Sequence, residues 1–227
     1  MKILFCHIPK CSGLNINHYL SKKYETEYVW YIHRILKYDI LEFDNYYKFA
    51  IIREPIERLV SLYFYQSNGI EYLKNQTNLL RTFQGENWYK LSEVYKKYNI
   101  SDITSFLNNY TTFYNNEVKP ILPNLNIYNE TVDMSTFYLV GFIPQYLFIC
   151  DDNFNLLVDD VVNIKDCSTF MYNKFGIELD NTKKLNTHKN SNDDYYSYLT
   201  EQNINDIKNI YEIDYKYLFN KTKCKDE

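Results

Sequence analysis

Residues 2–8 (KILFCHI) form a nearly continuous apolar run that Pro9 stops at once. A run of that length without alternation predicts a strand buried on both faces. After Gly13 the period changes, and Leu14, Ile16, Tyr19 and Leu20 fall on roughly one side of a helix. Residues 27–33 (EYVWYIH) predict a second strand ending at His33, followed by a polar, helix-prone stretch. A third strand of the buried type, 46–53 (YYKFAIIR), ends at Arg53. Pro55 suits the first turn of a helix, which carries Leu59, Leu62 and Tyr63 toward the interior. Three strand–loop–helix units in about 65 residues predict an α/β fold with a central parallel sheet flanked by helices.

Residues 68–135 are more polar and contain no clean strand pattern. They read as a mostly helical or irregular insertion, with 87–99 (NWYKLSEVYKKYN) and 102–110 (DITSFLNNY) as its helices. Apolar runs return at 137–142 (FYLVGF), 146–150 (YLFIC) and 157–164, each predicted as a strand. A helix over 167–175 (CSTFMYNKF) should stop at Gly176, and 201–219 carries one or two amphipathic helices. No repeat or long linker interrupts the pattern, so residues 1–227 are expected to form one domain.

Composition narrows the function classes. The net charge of −4 gives no general basic field, so neither nucleic acid nor an anionic membrane is expected as partner. Any anion site must be local. Twenty-five Tyr against 5 Gly and 2 Trp reads as compositional bias before it reads as function. The five cysteines (Cys6, Cys11, Cys150, Cys167, Cys224) are scattered, odd in number and without a C-x-x-C pair. They make neither a zinc pattern nor a secreted disulfide framework. With no signal-like or membrane-spanning apolar segment, a cytoplasmic location is expected, and the Asn-x-Ser/Thr sequons are read as chance.

Two short stretches carry candidate chemistry. HIPKCSG (7–13) lies where the first strand turns into the first helix. The helix start directs backbone N–H groups and a positive dipole end into the loop, Lys10 adds a charge and Ser12 a hydroxyl. These are the parts of a phosphate or sulfate cradle, or of an ordinary turn with a surface lysine. No G-x-x-x-x-G-K-[ST] loop occurs, and neither Cys6 nor Cys11 begins a C-x5-R loop. In REPIERLVSLY (53–63), Arg53 should emerge at the carboxyl edge of the sheet. Arg58 and Ser61 are spaced to share a helix face, as an anion-binding pair or with Arg58 in exposed ion pairs with Glu54 and Glu57.

Taken together, the two stretches resemble the sulfotransferases that use 3′-phosphoadenosine 5′-phosphosulfate, in the branch that includes carbohydrate O-sulfotransferases. HIPKCSG is similar to the family's 5′-phosphosulfate loop and REPIERLVSLY to its 3′-phosphate motif. GFIPQYLFICD and LVDDVVNIKD resemble later strands, and LNTHKNS with IYEIDYKYLF the C-terminal segment. Cys11-Ser12, Asn15 and Lys165-Asp166 depart from the usual residues. The resemblance implies a P-loop-like sulfotransferase fold and in-line transfer of a sulfuryl group to a hydroxyl, on a carbohydrate or glycoconjugate. Lys10 would neutralise charge on the leaving group, with Cys11, Ser12, Gly13, Leu14 and Asn15 around the 5′-phosphosulfate. Arg53 and Ser61 would hold the 3′-phosphate, and Lys189 would approach the nucleotide. His33, at a strand end, is the expected general base, with Glu57 and Glu42 as acidic alternatives. No metal is expected. Two other readings remain open here: a non-catalytic nucleotide- or glycan-binding protein, and a divergent ATP-dependent small-molecule kinase.

Overall fold

The computed structural model describes residues 1–75, 82–125, 137–180 and 195–220. In chain order it contains β1 (Ile3–His7), α1 (Gly13–Tyr24), β2 (Tyr28–Ile32), β3 (Tyr47–Ile52) and α2 (Pro55–Asn75). Next come α3 (Phe83–Lys97), α4 (Ile103–Phe113), α5 (Tyr146–Ile149), β4 (Asp160–Asn163), α6 (Cys167–Phe175) and α7 (Glu201–Ile210). The chain divides into two compact units. Met1–Glu54, Pro144–Thr187 and Glu212–Glu227 make the first; Pro55–Ile143 and His188–Tyr211 make the second.

The first unit holds a four-stranded parallel sheet in the order β2-β1-β3-β4. All five residues of β1 are buried, as its unbroken apolar run requires of a central strand. Cys6 pairs with Tyr31 on one side and Ala50 on the other, which sets the register around β1. α1 packs against β2 and α6 against β4. α6 drives Phe170 and Phe175 onto Phe49, each ring pair 5.4 Å apart. Gly176 ends α6 with φ 59°, a left-handed turn that glycine enters without strain.

Two expectations for the first unit fail in instructive places. The helix-prone stretch after β2 makes only two 3₁₀ turns, Leu36–Tyr38 and Ile40–Phe43. Of residues 146–150, expected as a strand, Tyr146–Ile149 form the short helix α5 and Cys150 alone is extended, bridging to Leu156. The first N–H groups of the helix, from Gln145 and Tyr146, donate to the two carboxylate oxygens of Asp214 at 2.9 and 2.8 Å. A buried carboxylate at a helix start satisfies orphan donors and opposes the dipole.

The second unit is built on aromatic packing. Tyr63 stacks on Phe106 at 4.9 Å, and Phe113 meets Phe142 edge-on at 4.9 Å. α4 and α7 both begin with reciprocal capping boxes, Asp102 with Ser105 and Thr200 with Asn203. Residues 137–142, also expected as a strand, are 3₁₀ turns. The buried Arg58 guanidinium donates to Gly141 O and Ile143 O at 3.1 and 2.7 Å, so these carbonyls bond to a cation instead of a ladder.

Candidate active site

Within the first unit, the chain leaves β1 toward β2 at one side of the sheet, while β3 is followed at the other side by β4. Connections that part in this way open a crevice at the carboxyl ends of the two middle strands. The residues after β1 and after β3 are those of the two sequence motifs, 8–13 and Arg53.

The loop after β1 is tight. Cys11 N–H closes a turn on Ile8 O at 3.2 Å, so it is engaged within the loop. Lys10 and Ser12 take φ of 66° and 61°, left-handed values that cost a non-glycine residue of order 1–3 kcal/mol each. The first helical bond runs from Ile16 N–H to Ser12 O at 3.2 Å. The N–H groups of Gly13, Leu14 and Asn15 therefore lie at the helix start, where no earlier turn supplies acceptors. The Ser12 side chain makes no capping bond, and the first turn carries no acidic residue. An anion is the partner that such an end favours.

Gly13 is dictated by a neighbour. A Cβ there would sit 1.8 Å from Nε2 and 2.0 Å from Cδ2 of His7. The His7 ring occupies that space, stacked on Trp30 at 5.5 Å and tilted against His33 at 4.7 Å. His33 N–H donates to His7 O at 3.1 Å, carrying the β1–β2 pairing one residue past β2. His33 has φ 53°, which turns the chain away at that point.

The electrostatics follow from crowding cations into this edge. Burial lowers the Lys10 pKa to about 8, helped by the Arg53 guanidinium. The half-buried His33 is lowered to about 4, first by burial and then by Lys10. His7 lies well below the usual histidine range through burial, His33 and Lys10. At neutral pH both imidazoles are uncharged. The surroundings disfavour further positive charge, which is the condition for receiving an anion.

One residue escaped sequence reasoning. Gln145 is fully buried, and its amide makes a two-point contact with the Arg53 backbone. Oε1 accepts from Arg53 N–H at 3.0 Å, and Nε2 donates to Arg53 O at 2.8 Å. The same Oε1 accepts from the Cys11 thiol at 3.4 Å. Cys11 is thereby committed inward, with its side chain fully buried.

The first unit thus brings together Lys10, Cys11, Ser12, Gly13, Asn15, His33 and Arg53. Leu14 belongs to the same turn, but its side chain is exposed. Ser61, half-buried on α2, belongs to the second unit, and Lys189 lies outside the described residues. Arg58 is neither an exposed ion-pair residue nor an anion ligand. It is 1% exposed, holds two carbonyls and lies over the Tyr211 ring at 5.7 Å. Tyr110 and Tyr114 are buried in the second unit's aromatic core.

Among the described residues, no group of three or more His, Cys, Asp or Glu could hold a metal ion, and no helix is long and apolar enough to cross a membrane. Searches among curated proteins and solved structures return no match. A family model described as "Sulfotransferase family" matches residues 1–220. That span takes in the parallel sheet, the anion-receptive loop after β1 and the Arg53 edge, and by it the chain belongs to the sulfotransferase family.

Proposed function

We propose that this sulfotransferase uses 3′-phosphoadenosine 5′-phosphosulfate as donor and a carbohydrate or glycoconjugate hydroxyl as acceptor. The observation that carries the donor reading is the charge arrangement at the carboxyl edge of the sheet. Lys10 and Arg53 lie close enough for each cation to oppose the other, beside a helix start without a carboxylate. A ligand with anionic groups relieves that opposition.

In the transfer, the acceptor oxygen attacks sulfur in line while the bond from sulfur to the 5′-phosphate oxygen breaks. Charge builds on that oxygen, so positioning and electrostatics do most of the work. Lys10 offsets the developing charge, and the N–H groups of Gly13, Leu14 and Asn15, with the Ser12 hydroxyl, hold the 5′-phosphosulfate oxygens. Arg53 and Ser61 are assigned by their motif to the 3′-phosphate, and Lys189 to the nucleotide. His33 takes the acceptor proton: it is neutral at pH 7, and a bound anion that offsets Lys10 raises its lowered pKa toward the range a base needs. The glycan acceptor rests on the resemblance of the two motifs to the carbohydrate branch. A cytoplasmic setting belongs to the same proposal, supported by the scattered cysteines.

Calorimetry with adenosine 3′,5′-bisphosphate and ADP tests the donor. Selective, enthalpically detectable binding of the bisphosphate is expected, and Arg53→Ala should remove the preference. Equal responses to the two nucleotides, or none, would overturn the assignment. Selective binding with no sulfate transferred to any glycan would leave a binding protein and sink the catalytic reading. ATP and Mg²⁺ dependence would point to a kinase.

A further inference from the structure

Past Ile52 the chain has no ladder to hold it. The last pairing toward β4 is Ile52↔Asn163, and toward β1 it is Cys6↔Ala50. Arg53 is the next residue, and its N–H and C=O both bond to the side-chain amide of Gln145 at 3.0 and 2.8 Å. One amide thus replaces a neighbouring strand for a single residue. Its orientation is forced, because only Oε1 can face the N–H and only Nε2 the C=O. The second lone pair of Oε1 takes the Cys11 thiol at 3.4 Å.

Gln145 is itself held. Its backbone N–H donates to Asp214 Oδ2, and the next N–H, of Tyr146, to Oδ1 of the same fully buried carboxylate. The joint therefore runs from Asp214 through the Gln145 backbone to its amide, and from there to Arg53 and to the anion loop.

We infer that Gln145 is a positioning residue for donor recognition, fixing the base of the Arg53 side chain relative to the Cys11 segment of the loop. This rests on the reading of Arg53 and the loop as the donor site. A guanidinium that selects a phosphate works only if its stem starts from a fixed place, within about 0.5 Å of the productive geometry. The amide supplies that fixed start without touching the ligand.

The test compares adenosine 3′,5′-bisphosphate with adenosine 5′-monophosphate, which differ only in the 3′-phosphate. Calorimetric Kd values are taken for the wild type, Gln145→Met, Arg53→Ala and the double variant. The preference for the bisphosphate should fall about tenfold in Gln145→Met, the equivalent of one weakened charge-assisted bond. In the Arg53→Ala background, Gln145→Met should remove nothing further. A Gln145→Met protein that is less stable but keeps the full preference would overturn the inference, as would a further loss on top of Arg53→Ala. A wild type without preference would instead overturn the donor reading, a separate result.

If Gln145→Met does not fold, Gln145→Glu serves. A protonated carboxyl reproduces both Arg53 contacts, donating to the C=O and accepting from the N–H, whereas an ionised one repels the C=O. Its preference relative to wild type at the same pH should rise as pH is lowered from about 8 to about 6. A ratio that does not change with pH would overturn the inference.

Discussion

Raising the pH strips the charge from Lys10 long before it would from a lysine in water. Burial and the Arg53 guanidinium hold its pKa at about 8, against an ordinary 10.5. A phosphate set against the ammonium acts in the opposite direction and restores the proton. If the bound anion returns Lys10 to 10.5, binding at pH 8 takes up about half a proton and at pH 9 about 0.9, against about 0.1 at pH 7. Over the same range the apparent affinity weakens, approaching about tenfold per pH unit well above pH 8. Calorimetry of adenosine 3′,5′-bisphosphate binding in two buffers of different ionisation enthalpy counts those protons directly. The ligand's own phosphates, with a second pKa near ~6, are ionised by then. Lys10→Arg keeps a charge that does not titrate and should abolish the uptake above pH 8. Equal uptake in wild type and Lys10→Arg, or no uptake by the wild type at pH 9, would refute the placement of an anion against Lys10.

Two further outcomes follow from the same edge of the sheet. Gly13→Ala forces a methyl into the His7 ring and should cost about 1–3 kcal/mol in urea unfolding; adding His7→Ala should recover most of it, and no recovery would exclude the clash as cause. The His33 pKa is lowered from 6.5 to about 4 in the folded chain, so its neutral form stabilises above pH 6.5 and that contribution is lost as pH falls toward 4. It is worth about 1–3 kcal/mol after allowance for partial exposure. His33→Gln should flatten that acid limb and slow transfer by about 10²–10⁴-fold with bisphosphate binding retained. An unchanged acid limb, or transfer at the normal rate, would remove His33 from its role.

Local chemistry that needs no distant partner could be read from the chain. KILFCHI is a strand because an unbroken apolar run suits the middle of a parallel sheet, and Gly176 ends a helix because its left-handed turn favours glycine. FYLVGF and YLFIC are equally apolar but not strands, because a short buried run has no period to separate strand from helical turns. Their outcome is decided from far away, by Arg58 on the carbonyls of Gly141 and Ile143 and by Asp214 on the N–H groups of Gln145 and Tyr146. Arg58 itself was misread because guanidinium groups are seldom fully buried, and nothing within REPIERLVSLY announces the carbonyls that receive it. Gln145 stayed hidden for the same reason: a single amide in an apolar run, with partners 92 and 134 positions earlier. The Lys10 loop, by contrast, was visible from its strand, its proline and its glycine alone.

The Asp214 carboxylate has a consequence for how the protein is made. It is the last link of the joint that orders Gln145, and through Gln145 the Arg53 and Cys11 segments near the start of the chain. A growing polypeptide delivers the loop after β1 long before its fastener, so the loop cannot be locked until Asp214 has been made. Contacts spanning this much sequence favour slow, late closure. A chain interrupted before residue 214 would retain both signature motifs and still lack the means to hold them.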